Sequence, residues 1–221
     1  MAVESHQKAA ASQKNGWSAK EITPYKTTVL DKDGNEKEMM VDKDDGVRAD
    51  TTLEGLAKLK PAFNKDNGTT TAGNSSQVTD GAAAVLLARR DVAEKLGLKI
   101  LGRILGYNVS GVPPEVMGIG PAVAIPKALE KAGLTIKDVD VFEINEAFAS
   151  QATYCVEKLG VPKEKLNPRG GALAIGHPLG CTGARMIVTL FNELERTNKK
   201  YGIVSMCIGT GMGAAGVFER E

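Results

Sequence analysis

The sequence predicts an α/β fold: a mostly parallel five-stranded sheet with helices on both faces and an antiparallel edge strand, preceded by a loop-rich piece. Three observations predict it. From residue 82 onward, short apolar runs alternate with amphipathic stretches of helical length, as expected of a sheet whose crossovers are helices. Glycines stand where two of those helices should end, at Gly133 and Gly160. The last two apolar runs are joined only by a short Gly-rich link, which suits a hairpin at one edge rather than a crossover. No internal repeat or low-complexity tract interrupts the alternation.

Taken in order, Val3–Asn15 is helix-compatible, with Gly16 placed as a C-terminal cap. EITPYKTTVL reads as a strand, DKDGNEK as a turn carrying the Asp33-Gly34 pair, and EMMVDK as the returning strand. Asp42–Asp50 is a charged loop, and Thr51 or Thr52 can cap a short helix running to Leu59 and stopped by Pro61. Residues 1–65 carry few large apolar side chains and are poorly able to stand alone; the compact domain starts near residue 70. GTTTAGNSSQVTDG, residues 68–81, is small and polar throughout, an irregular segment with backbone N–H groups available to a ligand. Ala82–Ala88 reads as a buried strand, Arg90–Leu96 as a helix and Lys99–Val109 as a strand. Pro121–Ala132 is a helix, Val139–Ile144 a strand and Glu146–Leu159 a helix. Ala184–Thr197 is a helix, and Tyr201–Cys207 and Ala214–Glu219 are the final strands.

Composition narrows the function classes. At 221 residues, 42% hydrophobic and 25% charged, the chain has the make-up of a globular protein with a real core. A net charge of +1 gives no global drive toward nucleic acid or an anionic membrane. No apolar run approaches the roughly 20 residues that span a bilayer. MAVESHQKAA lacks the apolar centre of a secretory signal, and the closing FERE is not a peroxisomal address. Three cysteines, Cys155, Cys181 and Cys207, form an odd count with no zinc-like spacing, which points to a reducing compartment and leaves room for a working thiol. No metal set is expected.

The chemistry concentrates at predicted strand ends. In an open α/β sheet, ligands sit outside the carboxyl ends of the strands. Asn145 follows the Val139–Ile144 run, and Cys207 closes the Tyr201 run. His177 lies in NPRGGALAIGHPLGCTG (167–183), whose five glycines and two prolines imply tightly turned backbone. An amide, an imidazole and a thiol converging there would form a plausible catalytic constellation. A thiol has a reference pKa near 8.5 that its surroundings can retune. A neutral histidine can accept a thiol proton and then stabilise an oxyanion. Against these stand ordinary alternatives: an incidental loop histidine and a structural strand-end cysteine.

Three motifs together, NEAF at 145–148, GHPLG at 176–180 and CIGTGMG at 207–213, resemble the thiolase signature. Thiolases condense or cleave 3-ketoacyl-CoA thioesters through an acyl-cysteine. The resemblance implies that Asn145 holds a water in a first oxyanion hole and that His177 activates the nucleophilic cysteine. It gives Cys207 proton transfer to and from the carbanion, and makes the Gly209 N–H a donor in a second oxyanion hole. It places Ser76, in TTTAGNSS, on the pantetheine arm of CoA, Phe148 in the pantetheine tunnel and Arg48, in GVRADTTLEGL, near the adenine end. For Arg48 a solvated surface role is the alternative. CoA is expected as substrate, with no tightly bound cofactor. His6 is expected at the surface, Cys155 in the core, and Cys181 in a structural role that favours the peroxisomal subfamily. Glu146 orients its neighbours or simply complements a helix N-terminus.

The resemblance divides the chain into a partial loop domain, 1–70, and a C-terminal thiolase domain, 71–221. None of the three cysteines has serine two residues later, so nothing matches the family's nucleophilic Cys-x-Ser stretch. The chain is therefore expected to be a portion of a longer enzyme, inactive without an N-terminal half, with an exposed apolar face where that half would lie and a homodimer as the full assembly. The peroxisomal β-oxidation type is the first expectation, with peroxisomal localisation. A biosynthetic acetoacetyl-CoA thiolase and a non-catalytic acyl-CoA-binding or partner-binding module are the alternatives. GTGMGAAG between two late strands argues against a dinucleotide fingerprint.

Overall fold

The computed structural model describes residues 1–221. The chain runs through α1 (Ala2–Lys14), the hairpin β1 (Tyr25–Leu30) and β2 (Glu36–Val41), α2 (Leu53–Ala57) and α3 (Arg90–Lys95). It continues through β3 (Gly102–Gly111), α4 (Gly120–Ala132), β4 (Val141–Ile144), α5 (Ala149–Leu159) and α6 (Ala172–Ile175). It closes with α7 (Thr182–Thr197), β5 (Tyr201–Ile208) and β6 (Met212–Arg220). The α/β class holds, and the helix positions follow their local signals. Thr52 caps α2 by accepting the Gly55 N–H, and Gly133 and Gly160 end α4 and α5 in the left-handed conformation open to glycine. No helix is long and apolar enough to cross a membrane.

The sheet departs from the expectation in three ways. It has four strands in the order β3-β6-β5-β4. Only β4 and β5 are parallel, from Val141↔Gly202 to Ile144↔Ser205, whereas β6 is antiparallel to both neighbours. The final strand is thus interior rather than at the edge. Its residues fit that place: MGAAGVFER is small and apolar, and every residue from Gly213 to Glu219 is buried. The expected strand Ala82–Ala88 is not in the sheet at all. It has no regular structure and Leu86 and Leu87 are exposed, because no strand of this chain lies beside it to accept its hydrogen bonds.

Alternation along the strands separates two cores. Phe142, Ile144, Ile203, Ala215 and Val217 face α4, where Ala124, Ile125, Ala128 and Leu129 complete the cluster with Val156 of α5. Val141, Val204 and Phe218 point the other way, onto Met186, Leu190 and Leu194 of α7. The sheet therefore does carry helices on both faces. α4 starts directly on β6: a Cβ on Gly213 would collide with the Gly120 backbone, so only glycine permits that approach.

The first part of the chain leans on the second. α1 lies against α6, with Ala9 buried beside Gly170. Arg169 is buried between Glu193 of α7 at 2.9 Å and Glu21 at 3.2 Å, and it donates to the Trp17 carbonyl. Arg196 stacks over the Trp17 ring at 3.9 Å. The β1–β2 hairpin, by contrast, pairs only with itself and is largely exposed. His6 corrects an expectation. It is buried, not at the surface, and its Nδ1 accepts the Arg48 N–H at 3.1 Å; the polar face of α1 is the face turned toward the 44–48 loop.

Candidate active site

The parallel pairing of β4 with β5 brings two site residues to one sheet edge. Past the last strand pair, the Asn145 N–H donates to the Ser205 carbonyl at 2.9 Å, so Asn145 leaves the sheet beside Met206 and Cys207. Asn145 is 1% exposed, and neither its Oδ1 nor its Nδ2 finds a partner in the chain. A buried, unpaired amide costs about 1–3 kcal/mol per group, so this side chain is tuned to something other than stability. Cys207 is half-buried near the end of β5, and burial pushes its thiol up. Gly209 opens the hairpin turn that follows. Thr210 and Gly211 take φ of 71° and 99°, and the exposed Gly209 N–H forms no hydrogen bond within the chain.

The His177 loop is fastened to the same edge. Asn167 adopts φ 39°, and its side-chain amide imitates a neighbouring strand. Its Oδ1 accepts the Ile144 N–H at 2.9 Å, and its Nδ2 donates to the Ile144 carbonyl at 2.9 Å and to Glu146 at 2.8 Å. Glu146 also accepts from the Ser5 hydroxyl at 2.6 Å and the Leu173 N–H at 3.4 Å, joining α1, the NEAF segment and α6. Beyond α6, Gly176 turns the chain at φ 89°, and His177 places its Nδ1 2.7 Å from the Thr182 hydroxyl. The start of α7 lies against β5: a Cβ on Gly183 would stand 3.4 Å from the Met206 methyl. The imidazole, amide and thiol segments therefore meet at one end of β4 and β5.

A fourth segment closes the group. The Ser76 N–H donates to the Ala147 carbonyl at 2.8 Å, and Ser75 bridges Phe148. The Gln77 carbonyl accepts the His177 N–H at 3.4 Å. Residues 75–77 thus run between NEAF and the histidine loop, which puts Ser76 and Phe148 beside Asn145 and His177. The Phe148 ring meets Phe63 edge to face at 6.0 Å. Arg48 stands further out. It is tied in only through Gly46, whose carbonyl accepts from Gln77 at 2.9 Å, and through its own N–H on His6.

The electrostatics suit proton exchange. Burial lowers the His177 pKa, and the Arg185 guanidinium lowers it further, so the ring is neutral at neutral pH. The Cys207 thiol keeps its proton. Arg185 lies 3.6 Å from Glu143, whose fully buried carboxyl is pushed by desolvation up to about 8 against the pull of that arginine. Cys155 is buried, with its thiol 3.5 Å from the Gly118 carbonyl and pushed up to about 11 by burial; it is a packing residue, as expected. Cys181 is buried at the start of α7. Ser5, Asn167, Thr182 and the Glu143–Arg185 pair escape the sequence reading, since polar residues of ordinary type reveal no partner by spacing alone.

The thiolase C-terminal domain model matches residues 98–220, and the thiolase N-terminal domain model matches residues 1–91. The chain belongs to the thiolase family. This thiolase chain is 69% identical to the peroxisomal 3-ketoacyl-CoA thiolase B of Rattus norvegicus, an alignment covering 99% of the chain and 51% of that protein. It is 67% identical to the peroxisomal 3-ketoacyl-CoA thiolase of Homo sapiens, again over 99% of the chain and 51% of the relative. Among solved structures it resembles the dimeric peroxisomal thiolase of Saccharomyces cerevisiae, with a TM-score of 0.87, 54% identity and coverage of 100% of the chain and 53% of that one. It also resembles human mitochondrial 3-ketoacyl-CoA thiolase in complex with CoA, with a TM-score of 0.89, 42% identity and coverage of 100% and 53%. The chain spans about half the length of the curated relatives it matches.

Proposed function

We propose that this chain supplies the carboxyl-terminal part of the active site of a peroxisomal 3-ketoacyl-CoA thiolase of fatty-acid β-oxidation. That enzyme cleaves 3-ketoacyl-CoA with CoA to acetyl-CoA and a shortened acyl-CoA. The carrying observation is the buried Asn145 amide, unpartnered within the chain, beside the Cys207 and His177 segments. The names of the relatives support both the reaction and the compartment.

In this reading neutral His177 takes the proton of a cysteine nucleophile carried by a partner segment. The thiolate attacks the 3-keto carbon, and the C–C bond breaks toward the thioester. The protonated Cys207 delivers its proton to the carbanion equivalent so formed, which leaves as acetyl-CoA. The Cys207 thiolate then takes the thiol proton of the incoming CoA, and the CoA thiolate attacks the acyl-cysteine carbonyl. The C–S bond to the cysteine breaks, releasing the shortened acyl-CoA and a thiolate that recovers its proton from His177. Asn145 orients a water, and the Gly209 N–H donates to a developing oxyanion. CoA is the second substrate: Ser76 and Phe148 contact its pantetheine arm, Arg48 lies toward its anionic nucleotide, and residues 1–70 form part of a loop domain over it. No tightly held cofactor takes part. The partner segment is an N-terminal thiolase half, resting on the apolar surface around Leu86, Leu101 and Phe191, where an open groove of about 810 Å³ lies. The complete assembly is a homodimer, a reading supported by the dimeric state of the Saccharomyces cerevisiae thiolase.

Thiolysis of a 3-ketoacyl-CoA tests this, with the chain alone and mixed with an N-terminal half carrying Cys-x-Ser. Silence alone and turnover on mixing is the expected result, lost in His177→Ala and Cys207→Ala. Turnover by the chain alone would assign the nucleophile to a cysteine of this sequence and overturn the roles of His177 and Cys207 set out above. CoA binding without turnover in any mixture would favour a binding module.

A further inference from the structure

His177 and Thr182 are coupled by geometry that fixes where the imidazole proton sits. The Thr182 Oγ1 is 2.7 Å from His177 Nδ1 and 3.0 Å from the Pro178 carbonyl oxygen. A hydroxyl has one proton and two lone pairs. The Pro178 carbonyl also accepts the Cys181 N–H at 3.1 Å and the Thr182 N–H at 3.2 Å. It can only accept, so at 3.0 Å the Thr182 oxygen avoids a clash of lone pairs by pointing its proton there, in the back-bond to the residue four earlier that threonines form in helices. The oxygen then meets Nδ1 with a lone pair, and the ring nitrogen must bring the proton. Thr182 is 2% exposed, so water has no easy access to replace either bond.

We infer that Thr182 is a positioning residue that holds His177 as the Nδ1–H tautomer and so keeps a lone pair on Nε2. The inference deepens the reading of His177 as the base, because only a ring nitrogen with a lone pair can accept a thiol proton. Free imidazole side chains divide between two tautomers, and the wrong one would offer an N–H where an acceptor is needed. Since the ring is neutral at neutral pH, tautomer rather than charge decides its competence.

The other histidine provides an internal contrast. His6 Nδ1 accepts the Arg48 N–H at 3.1 Å, so it must be unprotonated, and the His6 proton lies on Nε2. The chain has two histidines, and they should therefore show opposite tautomers.

Long-range ¹H–¹⁵N correlation spectra of the imidazoles in the full chain test this without any turnover, with His6→Gln assigning the signals. Above the titration range, His177 should give the Nδ1–H pattern and His6 the Nε2–H pattern. Thr182→Val, which keeps the shape and removes the hydroxyl, should move His177 toward Nε2–H; Thr182→Ser should retain the wild-type pattern. An Nε2–H pattern for His177 in the unmodified chain overturns the inference without recourse to any variant, and so does a Thr182→Val spectrum unchanged in tautomer. In the complemented assay, Thr182→Val should lower kcat by about 10²-fold, the lower range of general-base contributions, with little change in KM. Inactive mixtures combined with the expected spectra would fault the proposed function and leave the tautomer assignment standing.

Discussion

Residues 81–88, GAAAVLLA, and residues 213–219, GAAGVFE, are nearly the same kind of sequence with opposite fates. The second is the interior strand β6, hydrogen-bonded to β3 and β5, with Val217 fully buried. The first makes no backbone hydrogen bond within the chain, and Leu86 and Leu87 are 80% and 71% exposed. Local propensity cannot distinguish them. β preference measures fit to a pleated, half-buried surface, and that surface has to be provided by other strands. Around 213–219 the chain provides two; around 81–88 it provides none. Strand formation in this molecule is decided by partners.

The largest expected effect measures that contrast directly. Hydrogen exchange of the chain alone should leave the amides of 82–88 near the unprotected rate. Those of 214–218 should exchange at least about 10³-fold more slowly, since central strands open only with the whole core. Comparable protection in both would mean that 82–88 does find a partner, and the comparison would fail. Next in size is Phe142→Ala, which empties a fully buried site between β4 and α4 and should cost about 3–5 kcal/mol in denaturant unfolding. Gly213→Ala follows. Its added methyl meets the Gly120 backbone, which cannot swing aside as a side chain could, so about 1–3 kcal/mol should be lost. An unchanged midpoint would show that α4 is free to slide on the sheet.

These differences mark what is legible in the sequence. Helix ends are, because Gly133, Gly160 and Thr52 act locally and carry their reason with them. The location of Asn145 and Cys207 at the ends of β4 and β5 is also legible, since their motifs close apolar runs, whereas His177 follows α6 rather than a strand and is not placed by that signal. Sheet order is not. That β6 is interior depends on β3, a strand about a hundred residues earlier in the chain, and on Gly213 meeting Gly120. His6 misleads for a similar reason: its polar neighbours on α1 describe the helix and not the 44–48 loop folded over it. Asn167 and Glu146, which tie the histidine loop to β4, look in the sequence like any loop amide and helix-start acid.

Glu143 carries the comparison into pH. Its carboxyl is raised from 4.5 to about 8, so between those values the folded chain holds a proton that the unfolded chain releases. Its contribution is full below 4.5 and is lost as pH rises to about 8. His6 and His177 act oppositely: their folded pKa values are lowered from 6.5, so stability falls as pH drops below that value. Glu143→Gln should therefore remove the decline between pH 6.5 and 8 and steepen the rise from pH 4.5 to 6.5, where Glu143 opposes the two histidines. Urea midpoints across that range would show it, and an unaltered slope would mean that Arg185 holds the carboxylate ionised.

The smallest stability effect belongs to the bare segment, and its smallness is informative. Leu86→Lys with Leu87→Lys removes two large apolar side chains, a change that in β6 would unfold the sheet. Here neither side chain is covered, so the unfolding free energy should move by no more than about 0.5 kcal/mol. The same pair should nevertheless abolish recovery of thiolysis on mixing with an N-terminal half, because each introduced charge would have to be buried with its partner strand. Normal stability with lost complementation would separate what this segment does for the chain, which is almost nothing, from what it does for a partner. Normal stability with full complementation would show that an N-terminal half does not cover Leu86 and Leu87, and would remove the groove they line with Leu101 and Phe191 from the proposed contact.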